Sequence, residues 1–291
     1  MTPTFVLLNL IGGICLLLYG LRQIKRSVMR GYGAHLRGFL AACTSNRFTG
    51  FLAGTVTTVC LQSALTVILL LATFMGQKML VTQAALPVMM GADLGVSLMA
   101  QILTFNLSFL APVLLLAGLT MISSFSHRKK VQNAGIAIFG LGMMLFALGA
   151  LREAGVPFKE SRALPYLLHP LEIDPVLTII VAALLTWLFH SSLAFLMLVV
   201  SFVAAGAVSP HLGLQLALGA NVGGSLNAIA ATLRDGPAAV RLPFANLLMR
   251  FTVIVLVLPF MDQIEGFLDK VDPNTARQIV HFHLGVNVLV V

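Results

Sequence analysis

The chain has 291 residues, of which 58% are hydrophobic and only 10% are charged. A soluble domain carries about 25% charged residues, so this composition excludes one and points to a polytopic helical membrane protein. A transmembrane barrel would instead show short alternating segments, and a net charge of +8 that gathers in loops is a topology signal rather than a nucleic-acid footprint.

The first predicted span covers about Thr4–Leu21. Its Gly12, Gly13 and Gly20 are small enough for another helix to approach closely. A basic segment, 22–47, follows with Arg22, Lys25, Arg26, Arg30, Arg37 and Arg47; it is partly amphipathic and is expected along the cytoplasmic surface. Positions 48–77 carry no charge. They are too many for one upright helix and too few for two crossings. Thr55, Thr57, Thr58, Gln62, Ser63 and Thr66 lie near the middle. The stretch predicts a re-entrant hairpin with a polar tip, tolerated at that depth only when buried in protein or facing water. The next segment, to about Phe105, is read as broken by Gly91 and Gly95. A span over about 107–125 and the basic loop His127–Lys130 end the first half.

The second half repeats the plan. Its first span is expected at about 133–151. A loop of mixed charge, 152–174, with Pro157, Pro165 and Pro170, is the expected linker between halves. A second hairpin (about 176–208), a second broken segment (about 212–233), a span near 243–260 and an acidic segment, 261–275, follow. The last apolar segment starts near Ala276 and stops abruptly at Val291, beyond which the natural chain is expected to continue. The first apolar run has no basic start and no clear cleavage site, so no cleavable signal is expected. Cys15, Cys43 and Cys60 form no spaced metal pair, and their odd number argues against a disulfide framework.

Gln62-Ser63-Ala64 and His190-Ser191-Ser192 lie 128 residues apart. The same 128 separates Gly91-Ala92-Asp93-Leu94-Gly95-Val96-Ser97 from Gly219-Ala220-Asn221-Val222-Gly223-Gly224-Ser225. This sets repeat 1 at about 4–130, repeat 2 at about 131–260, and a terminal segment at 276–291, all in one transmembrane domain. Lysine and arginine place 22–47 and 127–130 in the cytoplasm, with 152–174 and 261–275 outside, so the halves are oppositely oriented. The expected fold is an all-α polytopic membrane protein, an inverted-topology two-fold repeat of about ten membrane segments, two of them re-entrant helical hairpins. Paired polar interruptions at one register point to the midplane site of a secondary transporter.

The chemistry of such a site follows from helix ends. Free N–H groups attract an anion; free carbonyls with hydroxyl and amide oxygens suit a cation such as sodium. A single serine in a membrane helix usually bonds its own helix or a neighbour. The matched register is what singles out Gln62, Ser63, His190, Ser191 and Ser192 for substrate. It likewise selects Asp93, Ser97, Asn221 and Ser225 for the cation, with Thr58, Thr66 and Thr186 as secondary candidates. Asp93 is a functional candidate by default, as a cation ligand or a titrating group; the other reading is an acid facing a water-filled vestibule. His190 can donate to an anion, titrate near neutral pH, or bond a carbonyl. Arg250 lies deeper than Arg234 and Arg241 and is a candidate to face the pathway. His281 and His283 have no identifiable partner, and packing or capping is expected rather than metal binding.

These motifs resemble the type II sodium–phosphate cotransporter family in its bacterial branch. The resemblance rests on paired Gln-Ser-Ser-type hairpins, each followed by a Gly-Ala-Asn-x-Gly-Thr/Ser segment. It extends to Leu17-Leu18-Tyr19-Gly20-Leu21, to Arg241-Leu242-Pro243-Phe244-Ala245-Asn246, and to His281-Phe282-His283 with Asn287. It implies sodium-coupled transport of inorganic phosphate by alternating access, with sodium as the co-transported ion and no enzymatic activity. It also implies a multi-pass protein of the cell membrane, the bacterial inner membrane. Gln62, Ser63, Ser191 and Ser192 match the hairpin motifs; Gly91, Gly95, Ser97, Asn221, Gly223 and Ser225 match the segments after them. Bacterial members often carry a soluble C-terminal domain; nothing of that kind lies within these residues. A homodimer is compatible with the sequence.

The chain departs from that pattern at Ala64, which lacks a hydroxyl, at His190 and Asp93, where glutamine and asparagine are usual, and at Val96 and Gly224. An added carboxylate repels phosphate unless a cation or proton neutralises it. The alternative is therefore a proton- or sodium-driven transporter of another small anion. A serine–histidine membrane hydrolase is weakly supported, because neighbours such as His190 and Ser191 point to different faces of a helix.

Overall fold

The computed structural model describes residues 3–105, 107–159 and 163–291. Helix α1 runs unbroken from Pro3 to Cys43, 41 residues, or roughly 60 Å at 1.5 Å per residue. The basic stretch after Leu21 is therefore a continuation of the first span, not a separate surface segment. No proline interrupts it, its arginines and lysines favour helix, and Leu40 near its end is fully buried.

The first hairpin follows as α2 (Arg47–Leu61) and α3 (Ala64–Gly76). Then come α4 (Thr82–Thr104), α5 (Leu110–Ser124) and α6 (Lys129–Lys159). The expected linker is largely helical: α6 reaches Lys159, and α7 (Ala163–Ile173) meets α8 at a bend of 113°. Pro157 and Pro170 sit inside these helices rather than ending them; Pro165, whose backbone is helical, lies in the first turn of α7, where a missing N–H costs nothing. The second hairpin is α8 (Pro175–Phe189) and α9 (Ser192–Ala205), followed by α10 (Pro210–Thr232) and α11 (Pro237–Val257). A 3-10 turn, Leu258–Phe260, leads into α12 (Met261–Val271) and α13 (Thr275–Val290).

Among the described residues, four helical stretches are long and apolar enough to cross a membrane, or five if the bent α7–α8 pair counts as one. That is fewer than the ten segments expected. The hairpin helices have only 13 to 15 residues, short of the roughly 20 that a span needs.

The hairpin boundaries recur at the 128-residue offset. Arg47–Leu61 becomes Pro175–Phe189, and Thr82–Thr104 becomes Pro210–Thr232. The caps recur too. Asn46 accepts from the Phe48 N–H at 2.9 Å, and Asp174 accepts from Val176 and Leu177 at 2.9 and 3.0 Å. Both start a hairpin by satisfying N–H groups that the first helical turn leaves free.

The expected breaks at Gly91–Gly95 and Gly219–Gly223 are absent: α4 and α10 pass through both motifs as continuous helix. The glycines serve close approach instead. A Cβ on Gly91 would stand 1.9 Å from the Phe51 carbonyl oxygen, and one on Gly219 would stand 2.6 Å from that of Ile179. One turn on, Gly95 would meet Thr55 O at 2.8 Å and Gly223 would meet Ala183 O at 2.4 Å. So α2 lies parallel and tight against α4, and α8 likewise against α10.

Helices α1 and α6, the first of each half, pack antiparallel. Gly13 abuts Leu151, Gly20 abuts Gly140, and Gly31 abuts Asn133. Helix α13 fills the space beside α4, α9 and α10, burying Ile279, Val280, Val286 and Asn287.

Candidate functional site

The chain reverses at two tips with the same backbone. Gln62 has φ 52°, ψ 33° and His190 has φ 53°, ψ 25°, both left-handed; Ser63 and Ser191 are extended at φ −157° and −159°. Left-handed backbone is uncommon outside glycine, and here it turns the end of α2 into the start of α3, and of α8 into α9. Ser63 Oγ accepts from the Thr66 N–H at 3.3 Å and Ser191 Oγ from that of Ala194 at 3.1 Å. Each serine therefore caps the helix it begins and keeps its own O–H to donate.

Both tips line one cavity. Gln62, Ser63, Ala64, His190, Ser191 and Ser192 meet there with Asp93 and Arg250. The His190 ring is turned back on its own helix, its Nδ1 3.0 Å from Leu188 O. A carbonyl only accepts, so Nδ1 carries a hydrogen. A second cleft shares Gln62, Ser63, His190 and Ser191 and adds Arg22 and Lys25 of α1.

Arg250 of α11 joins the two motifs. Its Nη2 stands 2.6 Å from Asp93 Oδ1. Its Nη1 donates to Asn221 O at 2.7 Å and to Asn221 Oδ1 at 3.0 Å, and its Nε donates to Asn246 Oδ1 at 3.1 Å. Asp93 and Asn221 are the residues 128 positions apart, so one guanidinium holds the same motif position in both halves. Three of these contacts are hydrogen bonds, and the fourth, to Asp93, is an ion pair.

The network continues into α13. Because Arg250 fixes Asn221 Oδ1, the Asn221 Nδ2 faces His283 Nδ1, at 3.4 Å, as donor. His283 Nε2 then carries the hydrogen. The Asn287 side-chain amide stands 3.1 Å from it. The same amide stands 2.7 Å from Ser97 Oγ.

A family model described as Na+/Pi-cotransporter matches residues 16–153 and 159–289. The chain belongs to the Na+/Pi-cotransporter family. Relatives include proteins named "Putative inorganic phosphate export protein YjbB": that of Salmonella typhimurium is 30% identical over 283 residues, 97% of this chain and 52% of its own. Its counterpart in Escherichia coli O157:H7 is 31% identical over the same coverage. "Uncharacterized protein YqeW" of Bacillus subtilis is 22% identical over 284 residues, 98% of this chain and 92% of its own. The chain thus spans about half the length of the YjbB relatives. No solved structure matches it.

In this member of the Na+/Pi-cotransporter family, the sequence-selected residues separate into groups. The five substrate candidates, Gln62, Ser63, His190, Ser191 and Ser192, come together in the cavity with Asp93. Ser97, Asn221 and Ser225 are buried behind it, Ser97 against Asn287, and Ser225 3.4 Å from Asn221 O. Thr66 is occupied by Ser63, its hydroxyl donating at 2.9 Å. Thr58 and Thr186 press on Gly95 and Gly223, and neither hydroxyl has a hydrogen-bond partner among the described residues.

Residues that the sequence reading passed over also belong here. Asn227 and Asn246 line the cavity, and Asn227 donates to Thr186 O at 3.2 Å. The two histidines of α13, expected without partners, have them: His283 as above, and His281 between Gln101 at 2.8 Å and Asp272 at 3.1 Å. Polar residues at Asn246 and Arg250, four apart in an apolar helix, were the available signal, since such pairs share a face.

Proposed function

We propose that this chain moves inorganic phosphate across the membrane by alternating access, coupled to sodium, with its two halves acting as inverted repeats. One observation carries the reading: two hairpin tips with matching backbones meet in a single cavity. Helices α3 and α9 both begin there, so their first-turn N–H groups are offered to an anion. Gln62, Ser63, His190, Ser191 and Ser192 add amide, hydroxyl and imidazole contacts. Arg22 and Lys25 in the adjoining cleft draw an anion toward the tips.

The cation falls to Asp93, Ser97, Asn221 and Ser225, with Thr58, Thr66 and Thr186 nearby. Thr58 Oγ1, Thr186 Oγ1 and Gln62 Oε1 are buried oxygens without hydrogen-bond partners among the described residues, the kind of ligand that replaces water around sodium without adding fixed charge. The inversion is supported by the antiparallel packing of α1 on α6 and by the basic loops. The family and the names of the relatives support phosphate, those names favour export, and the setting is a bacterial inner membrane.

Proteoliposomes loaded with radiolabelled phosphate test this. Flux should depend on a sodium gradient and be lost in Gln62→Ala/Ser191→Ala. Flux unchanged by removing sodium, or unchanged in the double variant, would sink the assignment. Proton-driven transport of another small oxyanion is the rival that Asp93 and His190 in the cavity favour. A pH-dependent, sodium-independent flux that Asp93→Asn abolishes would select it.

A further inference from the structure

Arg250 is a fixed cation placed where an anion would bind. It is 6% exposed, and it lines the cavity between the tips. Its Nη1 and the Ser192 hydroxyl both lie beside Gly224, 3.7 and 3.6 Å from where a Cβ would stand. The missing side chain leaves the guanidinium and the second tip open to one another. The opposing charge, Asp93, is 1% exposed.

We infer that Arg250 is a direct ligand of the transported oxyanion and that Asp93 is its resting partner, so that anion binding exposes Asp93 to a monovalent cation. The inference rests on the phosphate reading above. The reasoning is electrostatic. A buried charge left without a partner costs several kcal/mol. In the empty site the two charges neutralise each other. An oxyanion offers Nη2 a charged acceptor of its own and draws it off the carboxylate, while Asn221 and Asn246 keep hold of Nη1 and Nε. Asp93 is then bare until a sodium ion or a proton covers it. A cation arriving alone competes with Arg250 for the same oxygens and strands the guanidinium. Only the empty site and the doubly loaded site have every charge matched. Half-loaded states are disfavoured, which makes coupling a property of one ion pair.

The pair sits among neutral groups. Asn221 and Asn246 hold Arg250, and His283 reaches it only through Asn221. His190 is the other titratable side chain lining the cavity. Neither asparagine can replace the missing charge when the pair separates.

Equilibrium binding of radiolabelled phosphate to the purified full chain in nanodiscs tests the inference, in sodium against choline buffer and across pH. Wild-type protein should bind phosphate more tightly with sodium, or with acid if the proton is the partner. Asp93→Asn keeps a hydrogen-bonding side chain of the same shape and removes the competing charge. Its phosphate binding should persist and no longer respond to the cation. Arg250→Gln with Asp93→Asn, judged folded by its melting curve, should bind phosphate roughly tenfold or more weakly, the worth of a charged hydrogen bond. Cation dependence intact in Asp93→Asn overturns the switch. Phosphate affinity in the double variant equal to wild type overturns Arg250 as a ligand. Wild-type protein that binds no phosphate in any buffer overturns the phosphate reading itself and the inference with it.

Discussion

Arg250 Nη2 stands 2.6 Å from Asp93 Oδ1, and both side chains are buried, at 7% and 0% exposure. Breaking such a pair on one side leaves an uncompensated charge and costs about 3–5 kcal/mol, whereas replacing both partners is often nearly neutral. Arg250→Ala should therefore lower the melting temperature in detergent sharply, and Asp93→Asn should do so less because asparagine still accepts from the guanidinium. Asp93→Asn/Arg250→Gln should recover most of the loss. Additive losses in the double variant would show that the two groups do not support one another in the fold.

Two neighbouring glycines should behave differently. A Cβ on Gly223 would stand 2.4 Å from the Ala183 carbonyl oxygen, and the nearest atom to one on Gly224 is 3.4 Å away. Gly223→Ala must push α10 off α8, an overpacking cost of about 1–3 kcal/mol or more. It should show as poor yield and early melting. Gly224→Ala meets only ordinary contacts and should fold normally. Gly224→Leu extends between Ser192 and Arg250, so it should fold yet lose phosphate flux. Equal thermal stability for Gly223→Ala and wild type would refute the close-packing account.

The tips separate backbone from side chain. Gln62 and His190 adopt φ of 52° and 53°, which glycine accepts without strain. Gln62→Gly and His190→Gly should keep or slightly raise stability while removing the amide and the imidazole from the cavity. Proline at either site cannot take that φ and should abolish folding. Flux assays on the glycine variants then report the side chains alone. Loss of folding in both glycine variants would mean that the side chains, not the turn, hold the tips.

The hairpins were readable because charge is absent over a length that fits neither one span nor two. The doubling was readable because Gln62 and Gly91 recur together at His190 and Gly219. The role of the glycines was not. Gly91 and Gly95 look like helix breakers until Phe51 O and Thr55 O are found against them, and a sequence does not say which helix lies opposite. Arg250 was visible as a deep cation, but its partner lies on another helix in the other half. His283 and Asn287 had no assignable partners for the same reason: α13 meets Asn221 and Ser97 only once both halves have packed. The Asn46 and Asp174 caps were legible in principle, each an N-cap residue type set just before an apolar run.

Asp272, between α12 and α13, bears on stability in acid. Its partial burial works against its charge, but the Asn274 backbone N–H at 2.9 Å, His281 at 3.1 Å and Arg277 at 2.8 Å outweigh that and hold the carboxyl below its ordinary value. The ionised form is thus favoured in the folded protein over the unfolded chain, whose aspartates titrate near about 3.9. The resulting stabilisation is complete above that pH and is lost as pH falls toward and through the lowered folded value. The same carboxylate pins the start of α13, and α13 carries His283 and Asn287 into the site. Melting temperature should be flat with respect to Asp272 from neutral pH down to about 5 and should fall below about 4. Asp272→Asn should lower it at neutral pH and flatten the acid limb. Melting curves of the two proteins that stay parallel from pH 7 to pH 3, set apart by a constant amount, would mean that this carboxylate contributes nothing through its charge.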